Sequence, residues 1–224
     1  FEGSEKNVLE RFYFCAKKFN SKNIIRITAD CPLSDPQIID KFTQIFKNKN
    51  VDYLSNGNPP TFPDGFDVEI FTFNALEKSY FSAKSLYEKE HVTPYIKKNN
   101  FFSKYNVINK IDLSNIRLTV DYVEDLVVVK KIISQIKNKA DYSLENVIKI
   151  INKDKEIMKL NSNYKRNTGS KNSENQKLWE RAKTIIPGGN MLISKRPELF
   201  LPFGWPTYFK KAKGIKIWSE KKIY

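Results

Sequence analysis

Apolar residues at Val8, Leu9, Phe12, Cys15, Ala16 and Phe19 recur at the three-and-four spacing of one helix face, and Ser4 is placed to cap it. The run NIIRITA that follows is β-rich and strand-like. Helical spacing returns in SDPQIIDKFTQIFKN, where Ile38, Ile39, Phe42, Ile45 and Phe46 share a face, Ser34 or Asp35 caps, and Pro36 lies in the first turn. VDYLSN (51–56) reads as a strand and GNPPTFPDG as a loop. FDVEIFTF then alternates with period two, putting Phe66, Val68 and Ile70 on one face and Asp67, Glu69 and Phe71 on the other. Helices fit 74–83 and 86–98, FFSKYNVINKI is a strand leading into a turn, and IRLTV is another strand. VEDLVVVKKIISQIK is helical, with Glu124 and Asp125 in its first turn where they suit the dipole, and SLENVIKIINK is a last helix.

Strands that alternate with helices in this way predict an α/β fold, a doubly wound and mostly parallel sheet. In such sheets ligands bind beyond the carboxyl ends of the strands. The apolar period stops at NSNYKRNTGSKNSENQ, so residues 1–160 form a body and 161–176 a linker. Beyond it LWERAKTIIPGG is a short helix, a Pro- and aromatic-rich stretch follows, and YFKKAKGIKIWS looks like a β-hairpin arm. Residues 177–224 are too poor in helix to close a core and read as the edge of a partial second domain. Trp179, Trp205 and Trp218 are accordingly expected not to share a core with residues 1–160. The chain opens on Phe1 in mid-phrase and closes on KIWSEKKIY, a strand entering a turn, which reads as a piece of a longer polypeptide.

Composition changes this picture little. With 40% hydrophobic and 13% aromatic residues the chain is not disordered. The net charge of +14 suggests nucleic acid, but residues 161–224 hold fourteen Lys and Arg against four Asp and Glu, leaving twenty-five against twenty-one in the body. With no Arg-rich run, RNA-binding aromatic motif or zinc-finger spacing, nucleic acid is not an expected partner. Cys15 and Cys31 form no metal-ligand spacing, and Cys15 fits a core position. No apolar run reaches the roughly 18 residues of a membrane span, and a cytoplasmic location is expected.

The chemistry begins with an echo. RITADCPLSD, from Arg26 to Asp35, returns as RLTVDYVEDL, from Arg117 to Leu126; each ends a short apolar run on an aspartate, Asp30 or Asp121. Singly, such an aspartate caps a turn or a following helix. Together, at neighbouring strand ends, two carboxylates make a seat for a hard cation such as Mg²⁺, which keeps its other positions for water and phosphate. Arg26 and Arg117 interrupt apolar strands, where they either pair with acids inside the sheet or reach a phosphate or carboxylate. His91 is the single histidine, so a His-based metal site within this chain is excluded; it is either a structural hydrogen-bonder or a substrate contact. Asp67 and Glu69, on one face of their strand, read from the residues alone as the wet side of an edge strand.

RITADCPLSDPQIID, DYLSN, FPDGFDVEIFTFNALE, EKEHVTPYI and IRLTVDYVEDL, in this order over about the first 160 residues, resemble the cytidylyltransferases of the spore-coat-polysaccharide type. These are similar to the synthetases that load acidic sugars onto CMP. The resemblance implies a nucleotide-diphospho-sugar transferase-like fold, Mg²⁺ on Asp30 and Asp121 as catalytic metal ligands, and CTP and a sugar as substrates. It implies contacts of Asp64, Asp67 and Glu69 with sugar hydroxyls and a substrate contact from His91; Arg26, Asn56 and Arg117 are counted with them as candidate substrate-binding residues. Three acids suit a carboxylated sugar poorly, so the sugar, acidic or amino, stays open. The family's nucleotide-gripping strand and its Gly-, Arg- and Lys-bearing loop would precede Phe1, so this piece alone is expected to be inactive. A homodimer is allowed.

LWERAKTIIPGG and YFKKAKGIKIW are similar to the opening of class III aminotransferases of the glutamate-1-semialdehyde aminomutase kind. Those use pyridoxal phosphate on a lysine that would lie far downstream. The reading is therefore a cytidylyltransferase serving surface polysaccharide synthesis, fused to an aminotransferase. The alternatives are a parent protein whose main identity is the aminotransferase or aminomutase, and a non-catalytic sugar- or nucleotide-binding module. A metal-dependent glycosyltransferase would show an Asp-x-Asp pair, and TADCP offers one acid.

Overall fold

The computed structural model describes residues 2–4, 6–136, 141–164 and 166, with short pieces at 181–182, 184–186, 211–213 and 216–218. The chain forms two compact units, Phe1–Arg166 and Asn167–Tyr224.

In the first unit helix α1 spans Val8–Lys18 and is capped by Asn7, whose side chain accepts from Glu10 N at 3.3 Å; the expected cap, Ser4, lies a turn too early. Strand β1 covers Asn23–Arg26. Helix α2, Pro36–Lys49, starts as its sequence predicts, with Asp35 accepting from Gln37 N at 2.8 Å and Pro36 at the first position, where a missing N–H costs nothing. Strands β2 (Tyr53–Ser55) and β3 (Glu69–Thr72) follow. The segment expected to be one helix, 86–98, is two after α3 (Phe73–Ser82): α4, Leu86–His91, and α5, Pro94–Lys98. Val92 at φ 69° breaks the run, and Pro94 opens the next helix in its first turn, where its missing N–H leaves no bond unmade. Strand β4 is Lys104–Asn106, and helices α6 (Val123–Gln135) and α7 (Leu144–Lys153) fall where the apolar period puts them.

The sheet runs β1-β3-β2-β4. Strands β1, β2 and β4 point one way and β3 runs against them, antiparallel to both neighbours, while β2 and β4 pair in parallel. The mostly parallel α/β sheet is thus present, with one strand reversed. The cause lies in the connections. Between β2 and β3 there is only a Pro- and Gly-bearing loop without a helix, so the chain turns back beside itself, whereas α2 joins β1 to β2, which point the same way.

Helices cover both faces. Leu54 and Ile70 pack with α2, α6 and α7 around Phe42, Phe46, Val128, Val129, Ile132 and Val147. Tyr53 and Phe71 face the other side, against Leu9, Tyr13, Leu76 and Ile96 of α1, α3 and α5. The alternation in FDVEIFTF therefore separates two buried faces and not a dry face from a wet one; Glu69 is 6% exposed and Phe71 fully buried.

IRLTV is not a strand of this sheet. It runs extended, with one parallel bridge from Arg117 to Asp64, and bonds to loops on either side: Leu118 N donates to Asp64 O at 2.7 Å and Val120 N to Asp30 O at 2.8 Å. The approach at the first loop is close. Gly65 sits at φ 103°, and a Cβ there would lie 2.7 Å from the backbone of Leu118 and Thr119. We expect Gly65→Ala to lower the unfolding free energy by at least about 2 kcal/mol, through left-handed backbone strain and forced separation of the two segments, measured by urea denaturation.

In the second unit, β5 (Lys211–Lys213) pairs antiparallel with β6 (Lys216–Trp218), where the hairpin arm is expected. Trp179, Trp205, the Pro-Gly-Gly of the IPGG stretch and the side chain of Trp218 lie outside the described residues. Among the described residues no helix is long and apolar enough to cross a membrane.

Candidate functional site

Beyond β1 the chain turns through Thr28–Ser34, with Cys31 N donating to Thr28 O and Ser34 N to Cys31 O, both at 3.2 Å. Asp30 lies in that turn, four residues past the end of β1 and not at the strand end itself. Thr119 Oγ1 donates to Asp30 O at 3.2 Å and to Asp30 Oδ2 at 3.3 Å, and Val120 N reinforces the contact. The two Arg-x-Thr-x-Asp phrases therefore lie side by side, joined Asp30 to Thr119–Val120. Asp121 follows immediately, between the extended run and α6, with its side chain 49% exposed.

Under Asp121 sits Arg117, 5% exposed. Its Nε and Nη2 grip both oxygens of Asp125 at 2.9 and 2.8 Å, Nη1 reaches Asp64 at 3.1 Å, and Nη2 reaches Asp121 Oδ2 at 2.7 Å. Asp125 is fully buried and also accepts from the Asp121 and Tyr122 backbone N–H groups and from Asn161 Nδ2. Burial opposes its charge, but the bonds from Arg117, Asn161 and Asp121 outweigh burial and hold its carboxyl below the usual range. Asp64 behaves oppositely. Burial, helped by Asp67 and Asp121, prevails over Arg166 and Arg117 and lifts it to about 6. Arg166 also bonds Asp67 and donates to Phe62 O at 2.9 Å.

A second cluster surrounds Glu69. Arg26 Nη1 lies 2.6 Å and Lys97 Nζ 2.7 Å from its carboxylate, while Tyr53 OH and Thr93 Oγ1 donate to Oε1 at 2.5 and 2.8 Å. Burial works against the charge, but Lys97, Arg26 and Tyr53 prevail and hold the carboxyl at about 2. His91 is half-buried, its ring centroid 4.5 Å from that of Tyr87. Burial first, then Arg26 and Lys97, pull its pKa below the ordinary value despite Glu90, so it is neutral at pH 7.

Arg26 pairs with Glu69, and Arg117 with Asp64, Asp121 and Asp125. Asn56 is buried with both amide ends on the backbone, donating to Phe66 O at 2.7 Å and accepting from Val68 N at 3.0 Å. Asp64, Asp67 and Glu69 each hold a cation. Asp125, Asn161, Arg166 and Lys97 join the clusters without having been picked from the sequence. Asp125 had a signal: it precedes Val128, Val129 and Ile132 by three, four and seven positions, on the buried face. Asn161 and Arg166 had none, lying in a polar stretch without period.

Among the described residues, no group of three or more His, Cys, Asp or Glu could hold a metal ion. Asp30 has no cationic partner among them, and Asp121 has one oxygen on Arg117 and the other without a partner. Two carboxylates, Asp121 with one oxygen without a partner and Asp30 bonded only by the Thr119 hydroxyl and the Cys31 thiol, fit a Mg²⁺ that completes its shell with water and phosphate, and do not fit an all-protein cage.

The sequence pattern of the cytidylyltransferase family matches residues 1–129. An uncharacterised protein of Methanocaldococcus jannaschii is 36% identical over 171 residues, 74% of this chain and 68% of that protein. The spore coat polysaccharide biosynthesis protein SpsF of Bacillus subtilis is 29% identical over 157 residues, 68% of this chain and 64% of that protein. The solved structure of a cytidylyltransferase from Leptospira borgpetersenii superposes with a TM-score of 0.68 at 35% identity, covering 70% of this chain and 67% of that one.

Proposed function

This chain belongs to the cytidylyltransferase family, and from that premise we propose that it transfers CMP from CTP to a sugar for surface polysaccharide synthesis. A sugar hydroxyl oxygen forms the new bond to the α-phosphorus, the bond to pyrophosphate breaks, and the hydroxyl proton leaves to water. The observation that carries this reading is the pairing of Asp30 with Thr119–Val120, which brings both phrases of the echo to one place. Asp30 and Asp121 would hold Mg²⁺, which when bound neutralises charge on the phosphate oxygens. Arg26 and Lys97 keep part of their surface open beside His91 and offer cations to an acidic sugar, while Glu69 fixes where they stand. Asp64 and Asp67 act near the sugar through Arg117 and Arg166, and Asn56 shapes the loop between β2 and β3.

For residues 177–224 we propose the edge of an aminotransferase, supported by the likeness of its opening phrases and by the β5–β6 pair. Pyridoxal phosphate has no partner to name among the described residues.

The test is pyrophosphate release by the full-length protein given CTP, Mg²⁺ and a panel of acidic and amino sugars. The expected result is release that depends on CTP and on one sugar class. Binding of CTP and sugar without release would identify a binding module instead.

A further inference from the structure

We infer that Arg117 is a positioning residue for Asp121, with Asp125 and Asn161 as its supports; this rests on the reading of Asp121 as a metal-bearing carboxylate. Asp121 is constrained from two directions. Its backbone N–H is fixed on Asp125 Oδ2 at 3.1 Å, and its side-chain Oδ2 is fixed on Arg117 Nη2 at 2.7 Å. Both restraints lead to one buried unit, because Asp125 holds Arg117 by two of its nitrogens. Asn161 Nδ2 closes the unit, donating to Arg117 O at 3.0 Å and to Asp125 Oδ1 at 2.9 Å. A planar fork suits this geometry and an ammonium does not: three separate nitrogens of Arg117 meet three carboxylates.

Charge points the same way. Arg117 faces Asp64, Asp121 and Asp125, and Arg166 faces Asp64 and Asp67, so acids outnumber guanidiniums four to two. Asp125 is sealed and Asp64 nearly so; Asp121 is the most exposed of Arg117's three carboxylates, which is where a cation from solvent can meet the surplus. With Oδ2 taken by Arg117, Oδ1 remains for that cation. A guanidinium kept only to pin the fold would have been satisfied by the bidentate grip of Asp125.

Mn²⁺ binding to the full-length protein with CTP, followed by electron paramagnetic resonance, tests this without turnover. Arg117→Lys is expected to weaken Mn²⁺ binding about 10- to 100-fold, the usual effect of losing a group that orients a metal ligand. Val128→Ala, a core truncation, is expected to lower Tm and leave Mn²⁺ binding unchanged. If Arg117→Lys lowers Tm only, as Val128→Ala does, the positioning role is overturned while the metal seat survives. If Asp121→Asn itself leaves Mn²⁺ binding unchanged, the seat falls and the positioning role with it. Should Arg117→Lys not fold, Asn161→Ala decides: a several-fold weakening supports the role, and wild-type binding overturns it.

Discussion

Asn in place of Asp30 should lower turnover at least about a thousandfold, the scale of removing one group that stabilises charge in the transition state. Fold stability should barely move. Asp30 is half-buried in a turn, and the backbone carbonyl that receives Thr119 Oγ1 and Val120 N is untouched by the substitution. Asp121→Asn should be as severe for turnover, with a small cost in stability because Arg117 keeps Asp64 and Asp125. Pyrophosphate release and thermal unfolding on the same preparations separate the two effects. Near-normal turnover in both variants would leave the echoed phrases as turn caps.

Glu69 should govern stability in acid. Its folded carboxyl titrates at about 2 against an ordinary value of 4.5, so the unfolded chain takes up protons first as pH falls. The stabilisation is fully present above pH 4.5 and is lost between there and about 2; a shift of that size corresponds to about 3 kcal/mol. Asp64 runs the opposite way. Its folded carboxyl titrates at about 6 against 3.8, so acidification from 6 toward 4 favours the folded state. Glu69→Gln should remove the loss below pH 4.5 and cost about 3 kcal/mol at neutral pH, because Arg26 and Lys97 are left beside each other without their anion. Urea midpoints across pH 2–7 for both proteins measure this. A variant as stable as the parent at pH 7 would show that the cluster contributes nothing net.

The helices were legible wherever one apolar face ran on without interruption, as in α2, α6 and α7. Where the structure departs, a single tertiary fact prevailed over a local pattern. Val92 adopts a positive φ inside a helical-looking run, and the residues of IRLTV spend their backbone groups on loops from distant parts of the chain. The reversal of β3 was implicit in a helix-free connection, but periodicity alone carries no direction. At the site, the aspartates were visible because a phrase repeated. Their supports were not, because Asn161 and Arg166 act through contacts forty-four and ninety-nine residues away, to Arg117 and Asp67.

The place of β3 in the sheet has a consequence for how the chain assembles. Strands β1 and β2 are both synthesised by Ser55, yet each pairs with β3 and not with the other. Until Thr72 is available the sheet has no centre, and β1 can then join it only across a long gap, Ile25 with Ile70 lying forty-five positions apart. Contacts of that separation fold slowly, since loop closure must precede any gain from burial. A nascent chain therefore holds two unjoined apolar ribbons, Ile24–Ile25 and Tyr53–Leu54, through the whole synthesis of the β2–β3 loop, and that interval is when it is most exposed to aggregation and to chaperones.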